Sequence, residues 1–190
     1  MIRAVLLDMD GTITEPYIDW KGLRDEIGVP EGVPIMEYIN GLPEGRREEA
    51  LRALEAWEEE AARNAPLAEG AGELLKELRT MGVRTALVTN SSRICVEIVL
   101  ERLRFRPDAV LSREDGRIKP APDLVKKAVA ALGARPEETL MVGDGIYDLE
   151  AARAAGVRFL LLRRLGYRLE HELSVGSLSE VLRLIIISEK

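Results

Sequence analysis

The apolar positions of the chain fall into two textures. Short, mostly aliphatic runs at Ile2 to Leu7, Val83 to Thr89, 109–112, 139–143 and 157–162 read as strands covered on both faces, the habit of a parallel sheet. Between them apolar residues recur at helical spacing from near Gly70, over Arg93 to Leu103 and from about Leu124 to Leu132, and Gly176 to Leu182 reads as a capped helix that closes the sheet. Alternating strand and helix predict a doubly wound α/β core with a parallel, Rossmann-like sheet. One segment breaks the alternation. Residues 15–67 hold a helical stretch around Asp19 to Ile27, a Pro- and Gly-rich turn over 28–34, a short element at Ile35 to Asn40 and a long helix at Glu44 to Asn64. In that last helix Leu51, Leu54, Trp57 and Ala61 share a face, so Trp57 is expected to pack in a core. The expected organisation is an α/β core over 1–14 and 68–190 with a helical insertion at 15–67.

The residues that follow the strands carry the chemistry. Asp8-Met9-Asp10-Gly11-Thr12 places two carboxylates at the end of the first strand, the end where open α/β sheets bind ligands. Two acids two residues apart on extended chain point the same way and repel unless a cation or a shared proton intervenes, and magnesium suits oxygen-only ligands. A calcium loop fails on spacing, because Gly11 is fourth where that pattern needs Gly at its sixth position. The second strand run ends at Thr89 and is followed by Asn90, Ser91 and Ser92; Ser91 and Ser92 read as N-caps, and the helix N-terminus also as a phosphate cradle. Lys119 lies in Lys-Pro-Ala-Pro-Asp just before a helix. The fourth strand ends in Gly143-Asp144, with Asp148 four residues further on. Each of these also has a plainer reading, as a turn, a cap or a solvated charge. Their recurrence at successive strand ends is what those readings leave unexplained.

Together these residues resemble the four motifs of the haloacid dehalogenase-like superfamily: Asp8, Asp10 and Thr12; Thr89 with Asn90; Lys119; and Asp144 with Asp148. The branch to which the chain is most similar is phosphoglycolate phosphatase-like. The resemblance implies a magnesium-dependent phosphatase acting on phosphoglycolate or a similar small phosphomonoester. Asp8 would be the nucleophile that forms an aspartyl-phosphate, and Asp10 the general acid and then base. Asp8, Asp144 and Asp10, the last through its backbone carbonyl, would hold the metal. Thr89, Asn90 and Lys119 would hold the phosphate, with Thr12, Gly143 and Asp148 supporting them. It also makes the insertion at 15–67 a cap, and a short one. A sugar phosphomutase of the same superfamily would share every catalytic residue. A phospho-accepting receiver-like module is the non-enzyme alternative, but its acceptor follows a later strand and it needs no inserted cap. Dehalogenases and phosphonatases of the superfamily lack the second Asp, so Asp10 counts against both.

Composition changes this picture little. The 190-residue chain carries a net charge of −6, which speaks against a nucleic-acid partner. Thirteen acidic and six basic side chains give the insertion −7, leaving +1 for the rest, and an acidic lid is poorly matched to a leaving group with extra carboxylates unless Arg24, Arg46 or Arg47 faces the site. No run approaches the ~20 residues of a membrane span, and nothing resembles a signal peptide, so the expected location is cytoplasmic. Cys95 is alone and reads as core packing, and His171 receives no role. Gln is absent and Asn occurs only at 40, 64 and 90, which fits a heat-adapted source. Oligomeric state is not legible.

Overall fold

The computed structural model describes residues 1–165 and 169–187. Six strands, β1 (Ala4–Leu7), β2 (Arg84–Val88), β3 (Ala109–Leu111), β4 (Thr139–Gly143), β5 (Arg158–Leu162) and β6 (Ser174–Val175), pair in parallel in the order β3-β2-β1-β4-β5-β6. The predicted doubly wound α/β fold is therefore the observed one. The period of two along β1 splits the core in half. Val5 and Leu7 pack beside residues of α4 (Ala71–Thr80), α5 (Arg93–Leu103) and α8 (Leu178–Ile187). Ala4 and Leu6 join the opposite layer with α6 (Asp123–Ala131) and α7 (Ile146–Ala154). Both faces of the sheet are thus covered, as the continuous apolar runs require. Truncating a fully buried residue such as Leu6 to Ala would cost about 2–5 kcal/mol. Two elements depart from the sequence reading. β6 is only two residues long, too short to leave a pattern, and α8 continues past Leu182 to Ile187.

Three helices, α1 (Trp20–Ile27), α2 (Ile35–Asn40) and α3 (Glu44–Asn64), form a lobe between β1 and α4. Asp19 caps α1 by accepting from the amides of Lys21 and Gly22, and Gly28 ends it at φ 80°, where a side chain would be strained. The lobe has its own small core of six buried residues, Leu23, Ile27, Val29, Ile39, Ala50 and Leu54. The last two lie on α3, whose far end supplies Ala62 to the main core, so one helix belongs to both. At the base of the lobe the outgoing and returning chains pair. Thr14 bridges Leu67, Glu15 N–H donates to Pro66 C=O at 2.8 Å, and Ala68 N–H donates to Ile13 C=O at 2.9 Å.

The site's position follows from register. Leu7 lies opposite Leu87 on β2 and opposite Val142 on β4, so Asp8, Thr89 and Asp144 emerge at the same edge of the sheet. After β1 the chain builds outward through β2 and β3, then crosses to β4 on the other side of β1. The carboxyl ends of β1 and β4 therefore border a topological switch point, the crevice where such sheets bind ligands.

Candidate active site

Lys119 is the centre of the arrangement. It arrives on the loop before α6 with a side chain only 3% exposed, and its three ammonium donors are all engaged. They reach Asp8 Oδ1 at 2.5 Å, Asp148 Oδ1 at 2.6 Å and the Val88 carbonyl at 2.9 Å. Asn90 fixes the backbone of that lysine: its Oδ1 accepts from the Lys119 amide and its Nδ2 donates to the Lys119 carbonyl, both at 2.8 Å. Asp148 sits in the first turn of α7, where the helix dipole favours an acid, and its Oδ2 accepts from Gly145 N–H at 3.2 Å.

Two glycines make room for the acids. A Cβ on Gly143 would stand 2.5 Å from the Asp148 carboxyl carbon. One on Gly11 would stand 2.0 Å from Asp144 Oδ2, and Gly11 has φ +86°, which a side chain resists as well.

Asp10 faces a different environment. Its Oδ2 accepts from Ser91 Oγ at 2.7 Å and lies 3.5 Å from Thr89 Oγ1, which itself accepts from Ser91 N–H at 3.0 Å. Burial, against the opposing pull of the Ser91 hydrogen bond and of Lys119, raises the Asp10 pKa above its ordinary value. Burial, reinforced by Asp148, lifts Asp8 well above the usual carboxylate range and lifts Asp144 to about 7. Burial works against the Lys119 ammonium, but Asp148 and Asp8 outweigh it and hold Lys119 above its ordinary value. Four buried or half-buried acids thus share one buried cation, and the group is short of positive charge.

Carboxylate oxygens of Asp8, Asp144 and Asp148 lie within 4.8 Å of one another. Hard oxygen donors at that spacing, with too little positive charge between them, suit magnesium. The sequence-predicted ligands Asp8 and Asp144 are in this set. The Asp10 side chain is not, being turned to Ser91 and Thr89, which leaves only its carbonyl for the metal role it was assigned. Asp148, expected as a support, meets Lys119 directly and also stands within reach of a cation.

The acids open onto a cavity of about 1000 Å³ between the sheet edge and the helical lobe. At its side Arg113 Nη1 and Nη2 grip Glu58 of α3 at 3.0 and 2.8 Å, a bidentate pair with Glu58 buried and Arg113 partly so. Despite that pairing, burial pushes the Glu58 pKa up to about 7. Arg102 donates to the Ala62 and Ala65 carbonyls, and Arg164 donates to Gly11 C=O and to Glu15.

Several residues escaped the sequence reading. Of the two serines before α5, Ser92 is the cap, accepting from Cys95 N–H, so Ser91 is free to reach Asp10. Adjacent hydroxyls before one helix were the available signal, because only one can cap it. The Glu58–Arg113 pair and Arg164 join positions 55 and about 150 residues apart, which no local pattern links. Thr12 is fully buried with a hydroxyl that has no partner, so its expected supporting role is not visible. Cys95 is buried as expected, and His171 packs its ring 5.4 Å from that of Phe159.

The model of the haloacid dehalogenase-like hydrolases matches residues 2–156, and the chain belongs to that family of enzymes. An uncharacterized hydrolase of Saccharomyces cerevisiae is 32% identical, over 97% of this chain and 91% of its own. N-acetylmuramic acid 6-phosphate phosphatase of Pseudomonas putida is 28% identical over 85% of this chain and 83% of its own. Among solved structures a hydrolase from Pseudomonas syringae superposes with a TM-score of 0.83 at 21% identity, over 97% of this chain and 98% of its own, a likeness of fold. Among the described residues no helix is long and apolar enough to cross a membrane.

Proposed function

We propose that the chain is a magnesium-dependent phosphatase that hydrolyses a small phosphomonoester through an aspartyl-phosphate on Asp8, with residues 15–67 as a cap over the site. One observation carries this reading: two acids two residues apart open on one cavity in opposite settings. Asp8 is ion-paired to Lys119 among other acids, whereas Asp10 is hydrogen-bonded by hydroxyls and stands outside that ion pair. Neighbouring carboxyls held in different settings are the signature of one nucleophile and one proton carrier.

Magnesium bound by Asp8, Asp144 and the Asp10 carbonyl, with Asp148 alongside, would neutralise the repulsion between the nucleophile and the phosphate. The protein does the rest. An Asp8 oxygen forms a bond to phosphorus as the ester bond to the leaving oxygen breaks, and Asp10 gives its proton to that oxygen. Asp10, now ionised, takes a proton from a water that attacks the same phosphorus. The bond to Asp8 then breaks, leaving inorganic phosphate, a free Asp8 carboxylate and a protonated Asp10. Lys119, giving up part of its hold on the carboxylates as phosphate enters, acts with the Thr89 hydroxyl and the Asn90 backbone N–H on phosphate oxygens whose charge must be met in a loose transition state. Asn90 contributes by fixing the Lys119 backbone, and Asp148 by orienting its ammonium.

The test is phosphate release with magnesium present, together with acid-quench trapping of radioactive phosphate on the protein. The proposal expects label on wild type and none on Asp8→Asn. Turnover without a trapped intermediate, or equal turnover by Asp8→Asn, would overturn the covalent route.

A further inference from the structure

We infer that the cavity selects phosphomonoesters whose alcohol part carries a flat aromatic or heteroaromatic ring and no second anionic group. This deepens the phosphatase reading and rests on it.

Three observations converge. The space is large: about 1000 Å³ is at the upper end for small-molecule sites and far exceeds what a phosphate on a two-carbon acid would fill. Its outer wall is apolar and aromatic. Tyr17, Trp20 and Tyr147, the exposed aromatic side chains among the described residues, all line this one cavity at 46%, 43% and 40% exposure, and exposed Ile146 is beside them. Tyr17 and Trp20 come from the start of the helical lobe and Tyr147 from the first turn of α7, so both walls present rings. Exposed aromatic surface concentrated at one site marks where an apolar body is meant to lie.

Charge supplies the third observation. Among the described residues seven acidic side chains line the cavity against four basic ones, and three of the four basic ones are held by carboxylates. Lys119 holds Asp8 and Asp148, Arg113 holds Glu58, Arg117 Nε holds Asp123 Oδ1 at 3.0 Å, and Arg24 donates to the Pro30 carbonyl at 3.1 Å. A carboxylate or second phosphate on the leaving group would therefore meet an excess of like charge, since among the described lining cations only Arg24, held by a neutral carbonyl, lacks a carboxylate partner. Specificity by rejection is as effective as specificity by contact. A nucleoside 5′-monophosphate and a phosphorylated pyridine share the chemistry that fits.

The experiment compares kcat/KM, with magnesium, for adenosine and uridine 5′-monophosphates, pyridoxal 5′-phosphate, phosphoglycolate, pyrophosphate and acetyl phosphate, the last a small activated acyl phosphate that reports on the catalytic machinery without a ring. The inference expects at least one ring-bearing ester to exceed phosphoglycolate and pyrophosphate by tenfold or more, and the nucleotide and pyridine arms say which ring is preferred. It also expects Tyr147→Ala and Trp20→Ala each to shrink that ratio by about tenfold, the scale of one lost ring stack. Hydrolysis of acetyl phosphate with phosphoglycolate or pyrophosphate equal to or better than every ring-bearing ester overturns the inference and leaves the phosphatase reading standing. Failure on all six removes both. Binding adds a readout free of turnover: Asp8→Asn should lose Trp20 fluorescence on titration with the preferred ring-bearing ester and not with phosphoglycolate, and equal responses would count against the inference.

Discussion

The molecule buries carboxylates against cations in two places, and the two are built differently. At the strand ends Asp8, Asp10, Asp144 and Asp148 share one lysine, whose three donors are all spent. At the junction of α3 with the sheet domain, Glu58 meets Arg113 one to one in a bidentate grip. The second arrangement matches one acid to one base and joins two parts of the fold. The first is incomplete by several charges, an arrangement that burial alone would penalise by several kcal/mol and that only a further cation or a proton relieves. An excess of like charge in a cleft therefore marks chemistry, whereas a matched pair marks architecture. Arg102 and Arg164 extend the second principle, Arg102 by donating to the Ala62 and Ala65 carbonyls and Arg164 by pairing with Glu15 while donating to the Gly11 carbonyl.

Neutralising Asp8 is expected to have the largest effect. An amide is neither a nucleophile nor an anionic ligand, so Asp8→Asn should lose about 10⁴-fold or more in kcat, while Asp148 continues to hold Lys119 and the fold survives. Steady-state phosphate release with far-ultraviolet circular dichroism checks both halves. Retained activity in a folded variant would break the contrast between a chemical and an architectural cluster.

Asp10→Asn should cost about 10² to 10⁴ in rate by removing proton transfer, because Asp10 faces hydroxyls and stands apart from the carboxylates grouped for metal. Magnesium affinity, followed by calorimetric titration, should persist in this variant and fall sharply in Asp144→Asn. Equal loss of metal in the two would show that the side chains have each other's roles.

Gly143→Ala sharpens the geometry. The new methyl would overlap the Asp148 carboxyl, only 2.5 Å away, and must push it off Lys119. A displacement near 1 Å is worth about 10² in rate, so kcat should fall by roughly that factor with a smaller change in KM. A variant with wild-type kcat would mean that the Asp148–Lys119 contact does not position the ammonium.

How much of this was legible in sequence depends on distance along the chain. Asp8, Asp144 and Asp148 could be read because each lies within a few residues of a strand whose apolar run announces it, and β1, β2 and β4 announce themselves because both of their faces are buried. Lys119 could be read from its setting among prolines. What it touches could not, since its partners lie 29 to 111 residues away and only the strand order brings them together. Ser91 was hidden by its neighbour, as two hydroxyls offer themselves to one cap. Glu58 was hidden in a crowd of glutamates on α3, yet a signal existed. It falls four residues after Leu54 and three before Ala61, squarely on the apolar stripe, and an acid on such a stripe asks for a buried partner. Trp57, read as a core residue, is partly buried against the lobe's core and donates its Nε1–H to Glu26 at 2.8 Å.

The remaining prediction concerns Glu58 itself and appears as a pH dependence of stability. Its carboxyl faces Arg113, with Asp10 and Glu55 adding weaker repulsion, and burial sets its folded pKa at about 7 against an ordinary 4.5. Between those values the folded chain keeps a proton that the unfolded chain has released. Ionisation there opposes folding, and the contribution of Glu58 to stability is full below about pH 4.5 and declines until about pH 7. Glu58→Gln removes the titration while keeping the shape. The informative quantity is the slope. The stability of wild type minus that of Glu58→Gln, from urea unfolding in apo protein at intervals between pH 4 and 8, should fall with rising pH by on the order of 3 kcal/mol. Parallel profiles would show that Arg113 holds Glu58 ionised throughout, in which case the pair at the junction is a stronger clasp than its burial implies.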